Sequence, residues 1–206
     1  MMESEAGTPL GLQASKSLRT RDRILSSTIA LIKEGGFSAA SSKRIADRAG
    51  MTWGAAQHHF GSKDDILRAV TETSHRKFVA RFADMSADGP IEERISLLVE
   101  GMWAHYQDDV YLAAVEILMA SRDLDPSTRH EVIERPGPDH LAMMKRLFPE
   151  VGATSEELLE ALIYTHCLLT GLTLQKTLAG PIGRPERYLA FCKEEMGAIL
   201  GRLRGA

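Results

Sequence analysis

Residues Lys43 to Lys63, KRIADRAGMTWGAAQHHFGSK, decide how the rest of the chain is read. Ile45, Ala46 and Ala49 recur at helical spacing and leave Lys43, Arg44, Asp47 and Arg48 on the other side, the pattern of a short amphipathic helix. Gly50 can take a left-handed backbone, and Met51 offers an apolar anchor. Thr52 presents an oxygen that can accept from the amides opening the next helix. The stretch therefore predicts a helix, a tight turn and a second helix. That is the helix-turn-helix, in which the second helix enters the DNA major groove.

Working outward, Ile24, Thr28, Leu31 and Ile32 repeat at helical spacing within a first helix from about Thr20 to Glu34, which Gly35 and Gly36 stop. Phe37 is expected to plug the small three-helix core, and Ser41 to cap the second helix. On the other side, Ser62 caps a fourth helix with Asp64 and Asp65 in its first turn. Ile66, Leu67, Val70, Phe78 and Phe82 carry its apolar stripe to about Ala83. Met1 to about Lys16, with Gly7, Pro9 and Gly11 and no helical period, reads as a flexible tail.

The formal net charge of −3 would argue against a nucleic-acid partner, but its distribution does not. Ala14 to Lys63 holds nine Lys and Arg against three Asp and Glu, a net +6, so the remainder carries −9. A basic head on an acidic body lets one part meet phosphates while the other stays off them. With 44% hydrophobic and 26% charged residues in 206, the chain is not disordered as a whole and has room for a DNA-binding unit plus one larger core. Cys167 and Cys192 lack metal-like spacing and read as buried thiols of a reducing compartment. With no secretory-type start and no apolar run near the roughly 20 residues needed to span a bilayer, a cytoplasmic location is expected and a membrane partner is not.

From Thr20 to Leu67 the chain resembles the N-terminal domain of the TetR family of bacterial transcription regulators. The matching residues are Gly36-Phe37, Ile45-Ala46, Ala49-Gly50, Thr52, Gly54, His59-Phe60, Ser62-Lys63 and Leu67. They cover about a quarter of the chain. Ser42 stands where the family usually has an apolar residue, and Gln57 where it often has a backbone-contacting Tyr. The resemblance implies dimerisation, a response to a small molecule, and a phosphate contact from Lys63. It also implies a route for that response, since a shift of the fourth helix would carry the recognition helix with it.

The residues expected to face DNA are Arg21, Lys43, Arg44, Thr52, Trp53, Gly54, Ala55, Ala56, Gln57, His58 and Lys63. Thr52 can donate to a phosphate at the helix start, and Gly54 permits close approach to the duplex. Trp53 either packs on sugar edges or a thymine methyl, or folds back over the second helix. His58 and His59 point about 100° apart on a helix and cannot chelate a metal together. Neither a metal nor a cofactor is expected.

The rest of the chain reads as helices throughout. Gly89-Pro90 opens a helix to about Gln107, and Asp109 caps the next, to about Ser121. Asp125-Pro126 opens another, which Pro136-Gly137-Pro138 breaks before Leu141 to Phe148. Thr154 or Ser155 starts a long helix to Ala179, and Pro185 lies near the start of a last one to about Leu203. The expected fold is all-α with about nine or ten helices. A tail over residues 1–17 precedes a helix-turn-helix domain over 18–63 and a helical regulatory and dimerisation domain over 64–206.

The long helix is apolar on two faces and must be buried on two sides. Leu168 and Leu172, with Leu189 and Ile199 of the last helix, are candidates for a symmetric four-helix dimer interface. Met102, Trp103, Tyr106, Tyr111, Met119, Met143, Phe148, Tyr164 and His166 form a soft Met and aromatic set that either lines a ligand cavity or fills the core. No Gly-rich phosphate loop, metalloprotease helix or nucleophile setting is present.

The function expected is a sequence-specific DNA-binding transcriptional regulator: a cytoplasmic homodimer on a palindromic operator, and a repressor released by an unidentified small molecule. The alternatives are a ligand-independent or activating regulator, a nucleoid-organising protein with little sequence preference, and an all-helical enzyme or carrier.

Overall fold

The computed structural model describes residues 9–121 and 138–204. Those residues are all-α, as expected, and no strand occurs among them. The helices are α1 (Pro9–Gly35), α2 (Ser42–Arg48), α3 (Trp53–Phe60), α4 (Lys63–Arg81), α5 (Ile91–Tyr106), α6 (Asp109–Ala120), α7 (Pro138–Leu147), α8 (Ser155–Ala179) and α9 (Pro185–Arg204). The helix expected from Asp125-Pro126 and the break at Pro136-Gly137 lie outside the described residues. None of the described helices is long and apolar enough to cross a membrane.

The helix ends follow local chemistry. Ser41 Oγ accepts from the Arg44 amide at 3.4 Å, and Thr52 Oγ1 from Ala55 at 3.3 Å. Thr154 and Glu157 exchange hydrogen bonds in a full capping box, which holds the Glu157 carboxyl below its usual range. One boundary is corrected. The chain is already helical at Pro9, within the stretch to Lys16 whose composition predicts a tail. Proline is tolerated in a first helical turn because the amide it lacks would have no partner there.

The described residues form two compact units. Residues 9–73 and 112–121 make the first, and 74–111 with 138–204 the second. In the first, Ile24, Leu31 and Ile32 of α1 are buried with Ile45 and Ala46 of α2, Ala56 of α3 and Ile66 and Val70 of α4. Ile117 of α6 is also fully buried.

In the second unit Leu98 and Met102 of α5, Met144 and Leu147 of α7, Leu158, Leu162 and Leu169 of α8, and Cys192, Met196 and Leu200 of α9 make the core. Gly101 lets α5 pass the end of α4 closely, because a Cβ there would lie 2.6 Å from the Phe82 ring. The buried Arg94 pairs with Glu150 and donates to the Leu147 carbonyl, satisfying a charge that would otherwise be costly. Cys192 is buried, and burial pushes its thiol up to about 11. The expectation that both cysteines are buried is corrected for Cys167, which is exposed on the outer side of α8.

Candidate nucleic-acid interface

The turn between α2 and α3 has the expected anatomy. Ile45, Ala46 and Ala49 are buried, and Lys43, Arg44, Asp47 and Arg48 are exposed. Gly50 has φ 65°, and the Met51 amide closes the turn onto the Ala46 carbonyl at 3.0 Å. Only Ala56 of α3 is fully enclosed, so the helix rests on the core by one small residue, and the expectation that Ala56 faces DNA is corrected. Gly54, Ala55, Gln57 and His58 are exposed, Thr52 is exposed at the helix start, and Trp53 is half-buried. A Cβ on Gly54 would meet nothing within 4 Å, so this side of α3 is open.

The basic residues divide by role. Lys43 and Arg44 are exposed in the first turn of α2. Lys63 is half-buried, its ammonium 5.0 Å from the centroid of the Phe37 ring. Phe37 is only half-buried itself, so it is a lid beneath Lys63 and not the plug of the core. Arg48 forms a two-pronged pair with Glu34, both contacts 2.6 Å, fastening α2 to the end of α1. Its hydrogen bonds lower the Glu34 pKa.

Arg21 departs from expectation. Instead of standing out with the other cations, its guanidinium donates to the His59 main-chain carbonyl and stacks 3.9 Å over the Phe60 ring. A carbonyl in the last turn of a helix lacks an intrahelical donor, and an arginine fork satisfies it. Arg21 therefore caps the far end of α3, a role beside the DNA contact expected of it. His58 and His59 meet edge to face with ring centroids 5.8 Å apart, and no metal-competent cluster occurs among the described residues.

Of the soft set, Met102, Tyr106, Tyr111, Met143 and Phe148 are buried, and Trp103 and His166 half-buried. Tyr106 and Tyr111 stack at 4.4 Å. The Tyr106 hydroxyl meets His166 Nδ1 at 2.7 Å, and the Tyr111 hydroxyl meets Thr170 Oγ1 at 2.7 Å. His105, 2% exposed, packs edge-on against both tyrosines and Phe78. Burial lowers the pKa of His105 and of His140 to about 4. Two members lie at the surface. Met119 is 53% exposed and belongs to the first unit, and Tyr164 is 47% exposed on the outer face of α8.

That outer face continues from α8 to α9. Ile163, Tyr164, Leu178, Tyr188 and Phe191 are exposed, and Leu168, Leu172, Leu189 and Ile199 are half-buried beside them. A groove of about 510 Å³ runs between Ile163 and Tyr164 on one helix and Ile199 and Leu203 on the other.

Residues 24–70 match the family model described as bacterial regulatory proteins, tetR family. The repressor AcnR of Corynebacterium diphtheriae is 26% identical over 181 residues, covering 85% of this chain and 90% of AcnR. The regulator CymR of Pseudomonas putida is 22% identical over 121 residues. That match spans 58% of this chain and only 59% of CymR. Among solved structures, the fatty acid degradation regulator FadR of Bacillus halodurans superposes with a TM-score of 0.66 at 19% identity, covering 90% of this chain and 96% of FadR. The helix-turn-helix, the all-helical fold and these matches agree: residues 24–70 form a helix-turn-helix domain similar to that of the tetR family of bacterial regulatory proteins, within a fold shared with solved regulators.

Proposed function

We propose that the protein is a homodimeric, cytoplasmic transcriptional repressor that binds a palindromic operator through α3 and is released by a small molecule. The observation that carries this reading is the open face of α3. Gly54, Ala55, Gln57 and His58 stand outward between the Thr52-capped start and Lys63, with Lys43 and Arg44 exposed on the preceding helix. Phosphates at Thr52, Lys43, Arg44 and Lys63 would set the register, while Gln57 and Trp53 would read base edges. In this reading residues 18–63 are the DNA-binding domain and 64–206 the regulatory one, and it acts by binding, without catalysis.

The apolar face of α8 and α9 supports the dimer, since a second copy related by a two-fold axis would cover Tyr164 and Phe191. The polar-aromatic interior around Tyr106, Tyr111 and His166 supports a ligand site there. Both follow the family's known behaviour.

Selection of bound duplexes from a random pool, with and without a small-molecule library, tests the reading. A palindrome with half-sites about one turn apart supports it, and compounds that release the duplex identify the effector. Retention without an enriched motif would transfer the protein to the nucleoid-organising class. Loss of all retention at low salt would reject DNA binding.

A further inference from the structure

The short helical turn Phe37–Ala39 follows Gly36, which has φ 71° and no side chain with which to cap it. The leading amide, that of Phe37, is satisfied from far along the chain. Glu116 of α6, 79 residues on, accepts from it through Oε2 at 3.0 Å. The carboxylate lies so close to the turn that a Cβ on Gly36 would be 3.4 Å from it. The Phe37 ring in turn lies beneath the Lys63 ammonium. Glu116, Phe37 and Lys63 belong to the same compact unit.

We infer that Glu116 is a positioning residue for DNA binding, acting through Phe37 to hold Lys63 where it meets a phosphate. The inference rests on the proposed role of Lys63 in the head. An anchor on the Phe37 main chain fixes where the ring lies, and the ring limits where the ammonium can go. Glu116 itself is exposed and negatively charged, so as a mere charge near the interface it would repel phosphate. Its positioning role and its charge therefore predict opposite signs on removal.

The test uses the full-length protein and the labelled duplex recovered by selection. Glu116→Ala should weaken binding about five- to tenfold, the scale of one lost charge-assisted hydrogen bond, and speed hydrogen exchange at the Phe37 amide. Glu116→Gln keeps an acceptor oxygen and should stay within about twofold of wild type. In a Lys63→Ala background the Glu116→Ala effect should shrink to below about twofold, because the two residues act through one another. Tighter binding by Glu116→Ala, or an effect that persists undiminished without Lys63, would overturn the inference. Wild type that retains no duplex would instead reject the DNA-binding reading on which it stands.

Discussion

The guanidinium of Arg21, near the start of the α1 core segment, caps the His59 carbonyl in the last turn of α3 and covers the Phe60 ring. The recognition helix has only eight residues and buries only Ala56 completely, so its far end depends on this contact from α1. Arg21→Ala should cost about 1–2 kcal/mol of stability from the lost hydrogen bond and ring contact. It should also weaken DNA binding without flattening its salt dependence, because no phosphate contact is removed. Denaturant melts together with a salt titration check both parts. A reduced salt slope would return Arg21 to the phosphate contacts.

Lys63→Ala should behave in the opposite way. Binding to all duplexes should weaken, and the log–log salt slope should fall by about 0.9 per half-site. An unchanged slope would remove Lys63 from the interface.

Gly54→Ala separates the free protein from its complex. In the free protein the added methyl meets nothing, and alanine in a helix is favoured over glycine by about 0.5–1 kcal/mol, so the thermal midpoint should rise. If α3 lies against the duplex, affinity should fall at the same time. Higher stability with unchanged affinity would place DNA elsewhere.

His105 and His140 set an acid limit on the second unit. Both have pKa values lowered from 6.5 to about 4, chiefly by burial, so between these values the unfolded chain binds more protons than the folded one. Their contribution is complete above about pH 6.5 and is lost as pH falls toward 4. The expected loss is about 1–2 kcal/mol for each histidine by pH 5. Chemical denaturation at pH 7.5 and pH 5 measures it, and His105→Gln should reduce the difference. Equal stability at both pH values would contradict the burial argument.

The apolar face of α8 and α9 makes a prediction about assembly. Phe191 is 52% exposed and Leu178 82% exposed, which is wasteful for a monomer. Phe191→Glu should shift sedimentation from dimer to monomer while the helical circular dichroism stays unchanged. A monomeric wild type would refute the interface.

Much of this was legible in the sequence, and the reason is locality. Ser41, Thr52, Ser62 and Thr154 cap helices through partners three residues away, and Gly50 and Gly180 end helices through their own positive φ. The buried faces of α1 and α2 follow from spacing along one helix. The two-sided apolar pattern of α8 likewise anticipated a face that its own chain leaves exposed.

What the sequence by itself determined is where the helices lie, how they are capped and that a helix-turn-helix heads the chain, because those depend on neighbours within one or two turns. The tertiary structure alone decided the use of individual side chains. Arg21 reaches His59 across 38 residues and Glu116 reaches Phe37 across 79, while Tyr164 and Cys167 face outward on α8. A side chain's partner depends on which elements pack beside it, and spacing within one element carries no record of that.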